Sequence, residues 1–302
     1  MNIAAVAVVV PAHNEAERIV ACVRSIRAAA DQVAPLPVRT VVVADACTDT
    51  TAHLAAREGA HTVSINRRNA GAARAAGVRH ALALLGSTAG IWLAMTDADS
   101  TVPAHWLTRQ TAWARRGHDA VLGTIRLAPD PQGACTYARS EHDAAYYRTR
   151  PAAEDTTAWE HPHIHGANMG VSATAYRHVG GFAPLTSSED HDLVARLAQA
   201  GHRIARTDDH PVHTAGRLHG RAPAGLAALL GSLHPTARTY ALTAPTDPVE
   251  EHFLPPHAAT EGWPSAAGTP SDATDIEHGD ARPRYGAVGA RTGAATGTKT
   301  TA

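Results

Sequence analysis

Asp97-Ala98-Asp99 is the chemically most informative stretch of this sequence. Two carboxylates one residue apart, just past the apolar run Ile91–Met95, can share a hard divalent ion. Mg²⁺ or Mn²⁺ prefers oxygen ligands and commonly completes its shell with water and substrate phosphates. Two more acid-bearing loops follow apolar runs: Pro11-Ala12-His13-Asn14-Glu15 after Ile3–Val10, and Asp45-Ala46-Cys47-Thr48-Asp49 after Val38–Ala44. Acids alone repel an anionic ligand unless a cation sits among them. Arg67, Arg68 and Arg74 lie around a further loop and could face phosphates. Taken alone, Asp97 and Asp99 could instead cap a helix starting near Pro103. The cluster Glu189-Asp190-His191-Asp192 has the same bland reading: acids suit a helix N-terminus, and Thr186 and Glu189 have capping-box spacing.

The elements that must position these residues alternate. Ile3–Val10, Val38–Ala44, His61–Ile65 and Ile91–Met95 read as buried strands, and Ala120–Leu127 and Ile164–Val171 as further strands. Asn14 and Glu17 have capping-box spacing ahead of a helix whose inner face is Ile19, Cys22, Val23 and Ile26. Thr48–Gly59, Ala70–Leu85, Pro103–Arg116, Thr136–Arg148 and Glu189–Ala200 read as helices. Apolar strands separated by helices predict an α/β, Rossmann-like fold: a mostly parallel sheet flanked by helices, with ligands beyond the carboxyl ends of the strands.

Composition narrows the chemistry. Hydrophobic residues make up 44% of the 302, enough for a sizeable core, and the net charge of -1 offers no overall basic surface for nucleic acid. The only lysine is Lys299, so a Walker P-loop, a Schiff-base lysine and a kinase-type phosphate lysine are excluded. Cys22, Cys47 and Cys135 form no metal pair or disulfide framework, which suits a reducing compartment. No apolar run reaches the roughly 18–20 residues of a membrane span, so the expected location is the cytosol, including its membrane face. Residues 244–302 hold five Leu, Ile, Val and Phe, seven Pro, seven Gly and a net charge of -4. They read as a low-complexity, disordered tail behind a folded unit of 1–243.

The motifs form an ordered set. Val8-Val9-Val10-Pro11-Ala12-His13-Asn14-Glu15, Val41-Val42-Val43-Ala44-Asp45-Ala46-Cys47-Thr48-Asp49, Asn69-Ala70-Gly71, Asp97-Ala98-Asp99, Gly166-Ala167-Asn168-Met169-Gly170, Gly180-Gly181-Phe182 and Glu189-Asp190-His191-Asp192-Leu193 together resemble the family 2 glycosyltransferases of GT-A fold, over about residues 4–235. The resemblance implies a nucleotide-diphosphate sugar donor, an Mg²⁺ or Mn²⁺ ion and a hydroxyl acceptor. It divides the unit into a nucleotide-binding half (about 1–115) and an acceptor half (about 116–243). By similarity, Pro11, Ala12, His13, Glu15 and Asp45 hold the base and ribose, and Arg74 contacts diphosphate or base. Asp97 sits near the ribose and metal, with Asp99 the main metal ligand. Gly166, Ala167 and Asn168 pass under the donor sugar, and Asp190, beside Glu189, is the general base. Burial or Glu189 is expected to raise the proton affinity of Asp190. One base on the opposite face from the leaving group implies a single displacement with inversion. Arg217 and Arg221 take the phosphate-clamping place of the family's basic-aromatic motif.

Three departures stand out: Ala44 replaces the first of two acids, Ala46-Cys47 replaces Gly-Ser, and His13 replaces an aromatic residue. His161, His163 and His165 alternate, so in a strand they share one face, leaving zinc as a further reading beside acceptor or phosphate contact for His165. His213 is a candidate late metal ligand, and Tyr146, Tyr147 and Trp159 are candidates for an acceptor wall or for core. The competing functions are a sugar-phosphate nucleotidylyltransferase, which wants a basic Gly-rich loop where Pro11–Glu15 stands, and a nucleotide-sugar-binding protein without catalysis.

Overall fold

The computed structural model describes residues 1–86, 89–128, 136–151 and 159–217, with positions 226, 230 and 232 beyond them. Arg221, Cys135 and the 244–302 tail lie outside the described residues.

Strands β1 (Ala5–Ala12), β2 (Val38–Asp45), β3 (His61–Ile65) and β4 (Ile91–Met95) pair in parallel in the order β3-β2-β1-β4. Their β-branched runs suit burial on both faces. Val6, Val8 and Val10 of β1 face helices α1 (Ile19–Asp31) and α4 (Trp106–Arg115). Ala7 and Val9 face the other way, toward α3 (Ala70–Leu85), α6 (Ala173–His178) and α7 (Glu189–Gln199). The inner stripe of α3 is small: a Cβ on Gly77 would meet Val9 Cγ1 at 2.4 Å, so only glycine lets this helix lie so close to the sheet. Asn69 caps α3 by accepting from Ala72 N–H at 2.7 Å, and Gly86 closes it at φ 68°.

The sheet continues past β4 with β7 (Met169–Ser172), β6 (Ala120–Leu127), β8 (Ile204–Thr214) and β5 (Ser100–Thr101). β7 is antiparallel to both neighbours, β6 and β8 are parallel, and β5 is antiparallel to β8. β5 follows β4 by only a few residues yet lies at the far edge of the sheet. The connection contains a turn, with Ser100 N–H donating to Asp97 C=O at 3.1 Å. A flat sheet would separate those strands by about four spacings of ~4.8 Å, so the sheet curls and brings β8 back to the end of β4.

The early strands, α3 and β6 follow the expected ranges, and α7 starts where expected, but several elements differ. Asn14 does not cap a helix. It sits at φ 52°, its side chain accepts from Thr48 N–H at 2.7 Å, and α1 begins only at Ile19. A bond to the neighbouring loop displaced the local one. α2 covers Thr51–Arg57, α4 begins at Trp106, and α5 is Thr136–Tyr146. The expected strand Ile164–Val171 is a 3-10 turn (Gly166–Asn168) leading into β7, because Asn168 turns inward to bond buried carbonyls. β5, β8 and α6 carried too weak a pattern to be read: β8 contains Asp208, Asp209, His210 and Pro211.

Candidate functional site

The loops after β1 and β2 are buttoned together. Glu15 N–H donates to Thr51 Oγ1 at 2.7 Å, Asn14 N–H donates to Cys47 Sγ at 3.3 Å, and His13 Nδ1 lies 2.7 Å from Asp45 C=O. Asp45 was expected to face a base. Its carboxylate instead accepts three backbone N–H groups, from Arg67 (2.7 Å), Arg68 (2.9 Å) and Asn69 (2.7 Å). It is buried, and three of about four lone-pair positions are used. Asp45 therefore shapes the loop that starts α3. The four non-glycine residues at positive φ among those described are Asn14 (52°), Ala46 (52°), Arg68 (48°) and Ser188 (60°), each in a loop of this edge. Backbone strain of this kind collects where geometry is prescribed by surroundings.

Arg74 is the electrostatic hub. From α3 it donates to Glu189 at the start of α7 and to Asp97 Oδ1 at 2.6 Å. It is 4% exposed and its guanidinium lies against the backbone of Gly166, where a Cβ would stand 2.4 Å from Nη2. Arg74 is thus not an open donor contact, and Glu189, the catalytic candidate beside Asp190, is buried as its ion-pair partner. Opposite charges buried together hold one another in place. Ser188, not Thr186, is the N-cap of α7, and it makes no side-chain cap bond.

Asp190 follows Glu189 in the first turn of α7. Its Oδ2 accepts Gly166 N–H at 2.7 Å, and its Oδ1 accepts His191 N–H at 2.8 Å. Burial pushes its pKa up, but Arg74 and the bonds from His191 outweigh that, so it lies below the usual carboxylate range. This corrects the expected rise: the nearby guanidinium dominates. Asp97 goes the other way. Burial lifts it to about 6 against the pull of Arg74, with Asp99, Glu189 and Asp190 adding repulsion. The mutual influence of Asp97, Asp99, Glu189 and Asp190 puts them in one acidic network.

Asp99 sits at the curled-back edge. Its Oδ1 lies 3.3 Å from both Ser100 Oγ and Thr214 Oγ1, and its Oδ2 accepts from Arg217 at 2.5 Å. The same Arg217 Nη2 donates to Glu15 at 2.6 Å. Five carboxylates (Glu15, Asp97, Asp99, Glu189, Asp190) therefore face two guanidinium groups (Arg74, Arg217). The surplus negative charge and all-oxygen donors fit Mg²⁺ or Mn²⁺ better than a soft metal. Among the described residues no three His, Cys, Asp or Glu converge as a metal cage. A cation here needs phosphate or water to complete its shell. Thr214 faces Asp99, so the next residue along the strand, His213, turns away and is not a metal ligand.

Behind the Gly166 turn the structure is packed. Asn168 is fully buried: its side chain accepts from Trp106 Nε1 at 2.9 Å and donates to Thr124 C=O and His210 C=O at 2.9 Å each. It cannot also touch a sugar. Tyr146 and Trp159 form a small core with Ile125 and Ala167, and Tyr147 packs against it, so the core reading of these three aromatic residues is the one the packing favours. His161, His163 and His165 do share a face, as a stack with ring planes within 18°. The Nε2 atoms of His161 and His163 face main-chain carbonyls of Leu122, Thr207 and Tyr146, which argues against zinc. Thr214, the Gly166 N–H and the buried role of Arg74 were missed in the sequence. All three depend on contacts between distant segments, and only the glycine spacing hinted at a close approach.

Residues 7–180 match the family described as Glycosyl transferase family 2. The chain belongs to that family. No curated protein sequence matches the chain. The fold is shared with Staphylococcus aureus TarS residues 1–349 in complex with UDP-GlcNAc, at 15% identity and TM-score 0.53, covering 80% of this chain and 68% of that one. It is shared too with the mannosyltransferase PcManGT of Pyrobaculum calidifontis in complex with GDP-Man and Mn²⁺, at 22% identity and TM-score 0.52, covering 80% and 76%. The family match and these likenesses bear out the expected GT-A fold. Within this glycosyltransferase, the matched span ends just before Gly181, so Asp190 and Arg217 lie outside it.

Proposed function

We propose that the protein is a metal-dependent, inverting glycosyltransferase moving a sugar from a nucleotide-diphosphate donor to a hydroxyl acceptor. The observation that carries this is geometric: Arg74 bonds Asp97 and Glu189 and lies against Gly166, whose N–H holds Asp190, while Asp99, two residues from Asp97, is held by Arg217. In this reading Asp99, with Asp97, holds a divalent cation together with the diphosphate; when bound, that ion neutralises the charge growing on the leaving nucleoside diphosphate. Pro11, Ala12, His13 and Glu15 line the nucleoside side. Arg217 leaves its bridge between Glu15 and Asp99 and turns to phosphate. Asp190, ionised at neutral pH and aimed by the Gly166 N–H, takes the acceptor's proton. Among the described residues the other carboxylates here, Glu15, Asp97, Asp99 and Glu189, are each paired with an arginine, which leaves Asp190 as the single base and favours inversion.

The reading places residues 1–115 on the donor side, 116–243 on the acceptor side, and 244–302 outside the catalytic unit. Among the described residues no helix is long and apolar enough to cross a membrane. The free thiols Cys22 and Cys47 favour a cytosolic setting, with work at the membrane face open to it. The test is turnover of UDP-, GDP- and dTDP-sugars with Mn²⁺ or Mg²⁺. Asp190→Asn is expected to lower the rate by about 10²–10⁴-fold, and Asp99→Ala or EDTA to abolish it. Pyrophosphate-dependent turnover would instead assign a nucleotidylyltransferase, and tight binding without turnover a binding protein.

A further inference from the structure

We propose that His165 is the acceptor-side hydrogen-bond donor of this site, its Nδ1–H holding an uncharged polyhydroxyl compound beside Asp190. This rests on reading Asp190 as the base. Tyr146 supplies the first observation. Its hydroxyl accepts Ile125 N–H at 3.3 Å and lies 3.1 Å from His165 Nε2. Tyr146 is 6% exposed, and a buried hydroxyl proton is not left without an acceptor. That proton goes to Nε2. A neutral imidazole whose Nε2 accepts carries its hydrogen on Nδ1. His161 and His163 are the reverse case, since their Nε2 atoms face carbonyl oxygens and must donate.

Position is the second observation. Nδ1 branches from the residue whose next peptide N–H, that of Gly166, donates to Asp190 Oδ2 at 2.7 Å. The Asp190 carboxylate is near enough to oppose the fall in the pKa of His165. That pKa nevertheless drops to about 3 through burial, so the ring stays neutral. Among the described residues none accepts the Nδ1–H. The ring is half-buried and is held in plane by Tyr146 (5.6 Å, 23°) and His163 (6.1 Å, 18°). A fixed, neutral donor beside a carboxylate selects an uncharged oxygen, such as a hydroxyl neighbouring the one that reacts. An anionic acceptor group would be repelled by Asp190.

The test compares His165→Phe, which keeps a stacked ring without a donor, with His165→Asn, whose amide N–H mimics the Nδ1 position. Folding of each is checked by urea unfolding. Two-bond ¹⁵N–¹H spectra of the full chain should show the Nδ1–H tautomer at His165, and Tyr146→Phe should mix the tautomers. With whichever UDP-, GDP- or dTDP-hexose is consumed, transfer to glycerol is measured against hydrolysis by water. His165→Phe should raise the KM for glycerol about tenfold, the worth of one hydrogen bond, and His165→Asn should recover most of that. An Nε2–H tautomer, or equal transfer-to-hydrolysis ratios in wild type and His165→Phe, overturns the proposal. So does a His165→Asn variant as poor as His165→Phe. Asp190→Asn is run in parallel: transfer that survives it removes the base assignment itself, whereas its loss leaves the His165 result to stand alone.

Discussion

Arg74 shows how a buried side chain's partners can outrank its place in a motif. Its place in the resemblance suggested contact with a donor, yet it is buried between Asp97 and Glu189. Removing a buried charge leaves its partners uncompensated, so Arg74→Met should destabilise the protein by about 3–5 kcal/mol. Urea unfolding measures it; a loss below 1 kcal/mol would mean the carboxylates find solvent instead. Ala46 makes the opposite case. It stands where the family commonly has glycine, and its φ is 52°. A non-glycine residue pays roughly 1–2 kcal/mol for that region, partly offset by the greater unfolded freedom of glycine. Ala46→Gly should therefore raise stability by about 0.5–1 kcal/mol, checked by the urea midpoint at constant slope. The departure visible in the sequence was real, and its physical meaning needed the backbone angle.

Strands and helices were legible wherever one pattern decided them. β1 to β4 are β-branched runs buried on both faces, and α3 has a cap and a stop at its two ends. Elements whose residues answer to distant partners were not. Asn14 serves Thr48, Asn168 serves two carbonyls and an indole, and β8 alternates poorly because Asp209 and His210 pair with each other. The histidine stack is a further such element, and it carries a pH signature. Burial holds His161, His163 and His165 below the usual imidazole range, His165 at about 3, against the opposing pull of the carbonyls facing His161 and His163 and of Asp190 near His165. The unfolded chain takes up these protons near pH 6.5 and the folded one does not. Stability contributed by neutral histidine is thus full above 6.5 and falls on acidification, by up to about 1.4 kcal/mol per pH unit for each group. Asp97, raised to about 6, works in the opposite sense over the same window. Comparing wild type with His165→Asn cancels it. The variant should lose less stability between pH 6.5 and 5, and equal losses would show that the ring is protonated in the folded state.

The curl of the sheet sets the order in which the molecule becomes competent. Asp97 and Asp99 sit in the first third of the sequence, but Asp99 leans on Thr214 and meets Arg217. Ser100 and Thr101 have no strand partner until Thr214 and His213 arrive. A nascent chain on the ribosome therefore exposes the acidic loop long before its counterpart emerges from the exit tunnel. Interruption of synthesis between residues 99 and 217 yields a polypeptide bearing both aspartates but neither Thr214 nor Arg217; on the proposed reading its cation seat is unfinished, and such premature fragments should neither scavenge manganese tightly nor waste donor.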